Sequence, residues 1–314
     1  MVKTVMFFDQ NLNERGTSIA TYDYAHFNEE ILGNKSIIAT FADRGDHEHS
    51  SFNKFKERFG NIYEVNNFKE LEKIQCDFVY NLKYGYNDGN LVNHAKNLVH
   101  VVFPSYEPHG DVYAYVSEWL AKNYNAPFVP HMVNLPKTTK SYRNFLGISH
   151  DTLVVGWMGG NNFEIEFAQK AVEQVAKERG YDSIVFLFMN QDNFCNEQHS
   201  NIIFINGTTD QNEKAAFINT CDVMIHARKR GETFGLAIAE FSTMNKPIIT
   251  YANSPERNHI EILGDKGIYY HNYNSLYNIL INFSKHDFRS GNWNCYQNYT
   301  PEKVMEQFNK VFLQ

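Results

Sequence analysis

Short apolar runs alternate along the chain with longer stretches whose apolar residues recur at helical spacing. In the first half the runs are Thr4–Phe8, Ser36–Phe41, Ile62–Val65, Phe78–Leu82, Val99–Phe103 and Phe128–Val133. Their composition and length predict strands. Helical periodicity lies between them, near Ser18–Leu32, Phe52–Phe59, Phe68–Ile74, Asn90–Leu98 and Val112–Tyr124. The second half repeats the plan, with strands predicted at Leu153–Trp157, Ile184–Met189, Ile202–Ile205, Val223–His226, Pro247–Tyr251 and Ile268–Tyr270. Helices are predicted near Phe163–Arg179, Asn212–Thr220, Phe234–Met244, Asn258–Leu263, Ser275–Phe283 and Pro301–Phe312. Pro301 fits the first turn of the last helix, where its missing N–H removes no bond.

Repeated strand–helix–strand units imply parallel sheets covered by helices on both faces. A run such as Ser183–Met189, apolar after its first residue, is what a strand buried on both faces looks like. The chain of 314 residues is long enough for two domains. The expected fold class is therefore α/β, with two Rossmann-like, doubly wound parallel-sheet domains facing a cleft. The polar, proline-containing stretch Leu135–Tyr142 is the expected hinge. It divides residues 1–140 from residues 141–300, and the terminal helix within 301–314 is expected to pack back on the first domain. In such sheets ligands bind beyond the carboxyl ends of strands, so the loops there are where chemistry is sought.

Net charge narrows the partners. A net charge of −7 argues against a bulk polyanion partner, whose binding needs a basic face to release counterions, so no nucleic-acid partner is expected. A small anion needs only a few local cations and stays possible. Cys76, Cys195, Cys221 and Cys295 are scattered without metal or redox spacing, and read as reduced thiols of a cytoplasmic protein. The apolar run Thr4–Phe8 is too short for a signal peptide or a membrane span, and no transmembrane segment is expected. There is no Asp-x-Asp pair, no G-x-G-x-x-G and no Walker lysine motif; no metal and no cofactor are expected.

The most informative stretch is His226–Glu240, which reads strand, basic glycine-containing loop, helix. Free amides at the helix start, near Thr233 to Leu236, form an anion site. Gly231 and Gly235 allow close backbone approach. Arg228, Lys229 and Arg230 can add charge-assisted bonds to a diphosphate. Glu232 stands before the helix and Glu240 inside it. Eight helical residues would separate them by about 12 Å along one side. One acid could then hold a sugar ring and the other a ribose, with a diphosphate between them.

Glu232-x7-Glu240, with Phe234-Gly235 and the following Glu240–Ile249, resembles the E-x7-E signature of retaining GT-B glycosyltransferases, and within them family four. The match covers about 25 residues. The resemblance implies transfer of a hexosyl or pentosyl group from a nucleotide-diphosphate sugar to a sugar or glycan acceptor, with retention and without metal. It gives Glu232 the donor sugar and Glu240 the ribose, and puts Thr233, Phe234 and Gly235 among the donor-binding residues. Gly159 and Gly160, after the first strand of the second half, would admit phosphate or sugar. The family's basic residues are missing from that loop, where Asn161, Asn162, Glu164 and Glu166 stand instead, leaving the phosphate cations to Arg228 or Arg230.

Asn11–Ser18 resembles the family's acceptor-side loop, with Gly16 and Thr17 as candidates and helix capping by Thr17 or Ser18 as the alternative. The loop Tyr106–Asp111, expected to open the helix Val112–Tyr124, carries His109 as the match to a functional family histidine. Asp111 would orient it or cap the helix. Tyr106 and Glu107 compete in register, and His131 and His226 are weaker candidates at strand ends. Two other readings share the fold and donor: a nucleotide-sugar epimerase, and a non-catalytic nucleotide-sugar binding protein. Sugar, base, acceptor and oligomeric state have no signature in the sequence.

Overall fold

The structure is a computed structural model that describes residues 1–13, 16–42, 49–285 and 291–314. The chain divides into two compact units, Met1–Met132 with Asn298–Gln314, and Val133–Gln297. The stretch Leu135–Tyr142 thus falls at the start of the second unit.

The first unit contains β1 (Thr4–Asp9), α1 (Gly16–Glu30), β2 (Lys35–Phe41), α2 (His49–Phe59), β3 (Ile62–Val65), β4 (Phe78–Lys83), β5 (Lys96–Val101), β6 (Val112–Tyr115) and α3 (Glu118–Lys122). The second contains β7 (Leu153–Met158), α4 (Glu166–Arg179), β8 (Ile184–Met189), β9 (Ile202–Ile205), α5 (Gln211–Thr220), β10 (Val223–His226), β11 (Gly231–Glu232), α6 (Leu236–Thr243), β12 (Ile248–Tyr251), β13 (Glu256–Arg257), α7 (Asn258–Leu263), β14 (Ile268–Tyr270) and α8 (Tyr273–Asn282). The terminal helix α9 (Pro301–Phe312) belongs to the first unit.

Each unit has a six-stranded parallel sheet, in the orders β3-β2-β1-β4-β5-β6 and β14-β12-β10-β7-β8-β9. Counted within each unit and leaving out the two-residue strands, both orders are 3-2-1-4-5-6, the doubly wound Rossmann arrangement. The order reverses between β1 and β4 in one sheet and between β7 and β10 in the other.

The apolar runs are explained by burial on both faces. Along β1, Val5 and Phe7 join one core with Tyr80, Leu98, Tyr24 of α1 and Phe308 of α9, while Met6 and Phe8 join a second with Phe41, Val79 and Leu71. The α9 rings sit deep in the first of these: Phe308 lies 5.2 Å from Tyr24 and Phe312 lies 5.2 Å from His100. Every residue of β7 and of β8 is buried.

Two predicted helices are corrected. Asn90–Leu98 is not helical; β5 begins at Lys96, because the run Leu98–Val102 has more to bury in the sheet than in a turn of helix. Val112–Tyr124 splits into β6 and the short α3. Val112–Tyr115 pairs with Leu98–Val101, and the Ser117 side chain then caps α3 by accepting from the Leu120 amide at 3.3 Å. The predicted strand Phe128–Val133 reduces to a single bridge, Phe128 to Tyr115.

Candidate functional site

The loops after β7 and β10 leave the second sheet at its switch point, and hydrogen bonds lace them together. The amides of Glu164 and Ile165 donate to the Ala227 carbonyl at 3.1 and 3.2 Å, and the Lys229 amide donates to Glu164 Oε1 at 3.0 Å. The glycine loop and the arginine loop, separate in sequence, therefore form one surface. In the glycine loop, Asn190 Nδ2 donates to the Gly159 carbonyl at 2.9 Å and the Asn162 amide to the Gly160 carbonyl at 2.7 Å.

The arginine loop is pinned on its other side. β11 pairs in parallel with β13, Gly231 opposite Glu256 and Glu232 opposite Arg257. Gly235 then turns the chain in the left-handed region, φ 89°, and α6 starts at Leu236. Its first-turn amides, Leu236, Ala237 and Ile238, have no carbonyl within the helix to bond. As expected, Glu232 precedes the helix and Glu240 lies inside it, but the segment between them is not continuously helical, so the expected helical spacing of the two acids is corrected. Glu232 is held in β11, and only Glu240 rides on α6.

Glu232 is the centre of the site's electrostatics. Its Oε2 accepts from Arg228 Nη1 at 2.9 Å, and its Oε1 lies 3.3 Å from His226 Nε2. Burial pushes its carboxyl up, but the His226 bond and the Arg228 charge outweigh that and bring it down to about 2. Behind His226, Thr250 Oγ1 stands 2.9 Å from Nδ1 and 3.2 Å from Nε2 of His259. Burial brings His259 down to about 3, so the ring is neutral. Arg230 Nε donates to Glu256, whose carboxyl burial raises. Glu240 is buried on α6, with Lys214 of α5 at 3.9 Å.

Thr233 is buried too, and the Phe234 ring packs in the core 5.9 Å from Tyr296 instead of opening to a ligand.

In the first unit, Gly16 and Thr17 open α1, and Ser18 Oγ donates to Asp9 Oδ2 at 2.6 Å and accepts from the Asn13 amide at 3.3 Å. Glu14 and Arg15 of the expected loop lie outside the described residues.

The expectations for His109 and Asp111 are corrected in their geometry. Their loop leads into β6, not into a helix, so Asp111 caps nothing; it accepts from the Asn97 amide at 2.7 Å. His109 is buried, with its ring 5.6 Å from Tyr113. Its Nδ1 lies 2.7 Å from the Glu107 carbonyl, which can only accept, so Nδ1 carries the proton. The other nitrogen, 3.4 Å from Lys83 Nζ, then accepts from that ammonium. Both nitrogens are used inside the unit.

Thr250, Glu256 and His259 were not foreseen from the sequence, and His226 stood only as a weaker candidate at a strand end. No local motif marks these residues; their relation to Glu232 exists only through space.

No protein-family model matches the chain, and no curated protein sequence matches it. Solved structures do. HepE of Anabaena in complex with UDP-glucose superposes with a TM-score of 0.73 at 11% identity, covering 99% of each chain. A glycosyltransferase from Rickettsia africae gives 0.64 at 14% identity, over 99% of this chain and 98% of that one. WaaG, a glycosyltransferase involved in lipopolysaccharide biosynthesis, gives 0.64 at 11% identity, over 98% and 99%. The two doubly wound units and these likenesses define the class: the chain has the GT-B fold. Among the described residues, no helix is long and apolar enough to cross a membrane.

Proposed function

We propose that the chain is a glycosyltransferase that takes its sugar from a nucleotide-diphosphate donor held by the second unit. The observation that carries this reading is the ionised, doubly held Glu232 beside the α6 amino terminus, at a sheet switch point. The diphosphate sits on the amides of Leu236, Ala237 and Ile238, where partial positive charge and unbonded donors coincide. Arg228 and Arg230, cations of the same loop, take the place of the basic residues missing after Trp157. Gly159 and Gly160 give backbone access, and Thr233 and Gly235 shape the start of α6 beneath the diphosphate. Phe234 supports this surface from the core. Glu232 meets the donor sugar and Glu240 the ribose.

In the reaction, the anomeric C–O bond to the diphosphate breaks and an acceptor hydroxyl forms the new C–O bond. The acceptor's proton leaves with the diphosphate. The helix amides and arginines favour the charge that grows on the leaving group, an electrostatic contribution present before the reaction starts. The acceptor is a sugar or glycan contacted by Gly16 and Thr17, the outcome is retention, and neither metal nor cofactor takes part.

HepE is described with UDP-glucose and, separately, with UDP and glucose, which makes UDP-glucose the first donor to test. The test is turnover of UDP-sugars with and without mono- and disaccharide acceptors, in chelator, followed by anomeric NMR. Transfer, or slow release of free sugar in the donor's anomeric configuration, supports the reading. An epimerised sugar, or tight donor binding with no turnover under any acceptor, contradicts it and selects one of the two other readings.

A further inference from the structure

Glu232 is held from several elements. His226 reaches it from the end of β10 and Arg228 from the following loop. His259 of α7 stands behind His226 and shares the Thr250 hydroxyl with it, and Glu256 and Arg257 lie on the paired strand β13. Of these, Arg228 is partly exposed and in place to meet a ligand phosphate, whereas His226 is 1% exposed and has no route to one. The His226 ring is fixed on three sides: Trp157 at 5.6 Å, His259 at 5.0 Å, and the Thr250 hydroxyl on Nδ1.

We propose that His226, held in place by Thr250 and His259, is a positioning residue for Glu232: its Nε2–H aims one carboxylate oxygen and leaves the arginine free to exchange Glu232 for the donor's diphosphate. The inference rests on the reading of Glu232 as the donor-sugar carboxylate. Chemistry fixes the direction of the bond. An ionised carboxylate only accepts, so His226 Nε2 carries the proton whichever way the Thr250 hydroxyl points. Without His226, a ligand that drew Arg228 away would strip the partly buried carboxylate of both side-chain partners, and the carboxylate would take up a proton instead. With it, Glu232 remains an acceptor for sugar hydroxyls throughout binding. Thr250 is the hinge of this arrangement, because its single oxygen meets both rings.

The test has three parts. Histidine ¹⁵N NMR of the wild-type chain between pH 6 and 8 reads which nitrogen of His226 is protonated. The ¹³C carboxyl resonance of Glu232, assigned by its loss in Glu232→Gln, is titrated in wild type, His226→Phe, His226→Gln and Thr250→Val. Donor turnover is measured against pH in the same proteins. Losing one hydrogen bond to a charged group is expected to raise the Glu232 titration by about 1 to 2 pH units in His226→Phe. The acid limb of turnover should move up with it, and kcat/KM should fall about 10- to 100-fold. His226→Gln keeps an N–H donor and should recover most of both losses; Thr250→Val should give a smaller upward shift.

An unprotonated Nε2 in the wild type overturns the proposal without any variant, and decides the matter if His226→Phe does not fold. So does a Glu232 titration unchanged in folded His226→Phe. Failure of the donor reading looks different: no nucleotide sugar binds, while the carboxyl titration still responds to His226.

Discussion

Gly231 and Glu256 lie so close that a β-carbon on the glycine would stand 2.1 Å from the Glu256 carbonyl oxygen. Gly231 also has φ 81°, a conformation other residues adopt at a cost. This contact, with the Glu256 amide donating to the Arg230 carbonyl at 2.9 Å, locks the arginine loop to β13. Gly231→Ala must separate the two strands. It should destabilise the chain by about 2 kcal/mol or more in urea unfolding, and weaken donor binding beyond what the stability loss explains.

Arg228→Ala removes one partner of Glu232 and one cation of the proposed diphosphate surface. The donor KM should rise about tenfold or more, since a charge-assisted bond contributes about 1.5–3 kcal/mol. Arg230→Ala should act more weakly on Glu232, because Arg230 pairs with Glu256 instead. Steady-state kinetics of both variants with the same donor would check the order, and equal effects would argue against it.

Stability should fall on mild acidification, before carboxylates titrate. His259 and His100 are each brought down to about 3 by burial, and burial holds His131 well below its ordinary range. Below the ordinary histidine value the unfolded chain takes up protons that the folded chain refuses, so stability drops as pH falls from about 6.5 toward the folded values. Glu232 adds a second loss of the same sign at lower pH. Its folded value of about 2 lies beneath the ordinary 4.5, so its contribution is complete above 4.5 and is lost as pH falls toward 2. Replacing His259 with Gln should lower the slope of stability against pH between 4.5 and 6 by about 1.4 kcal/mol per unit, one proton's worth. Urea titrations at several pH values measure that slope directly.

Arg143 is a structural anchor of the second unit, and its loss should not touch chemistry. Its guanidinium donates to Asp222 Oδ2 at 2.6 Å and to the carbonyls of Ser149, Thr152 and Thr220, while the Val154 amide donates to the same Asp222 oxygen. Arg143→Ala should cost about 3 kcal/mol of stability by leaving Asp222 underpaired. In contrast, Phe308→Ala should cost about 3–5 kcal/mol by opening a cavity beside Tyr24 and Tyr80 in the first unit. Thermal melts of the two variants, with donor kinetics on the folded fraction, separate these effects from catalytic ones.

Strands buried on both faces were legible in the sequence, because six consecutive apolar residues, Ile184–Met189, bounded by Ser183 and Asn190, have the length and flanks of a central strand. The stretch Val112–Tyr124 was not. Its Val-Tyr-Ala-Tyr start satisfies a strand and a helix equally in local pattern, and pairing with β5 decides between them. That error carried into the site, since it put His109 at a helix start that does not exist. The carboxylates Glu232 and Glu240 were legible because the loop, glycines and helix that present them are contiguous. Thr250, Glu256 and His259 were not, and His226 stood only as a weaker candidate, because what gives them meaning is the fold that brings β12, β13 and α7 against β10 and β11.

The most direct measurement is saturation-transfer NMR of UDP-glucose and related nucleotide sugars with the wild-type chain, Glu232→Gln and Glu240→Gln. Saturation of both sugar and ribose protons of one donor is expected in the wild type, with loss of the sugar contacts in Glu232→Gln and weakened ribose contacts in Glu240→Gln. A chain that binds no nucleotide sugar, or binds one equally well in both variants, would contradict the proposed donor site and leave the GT-B fold standing alone.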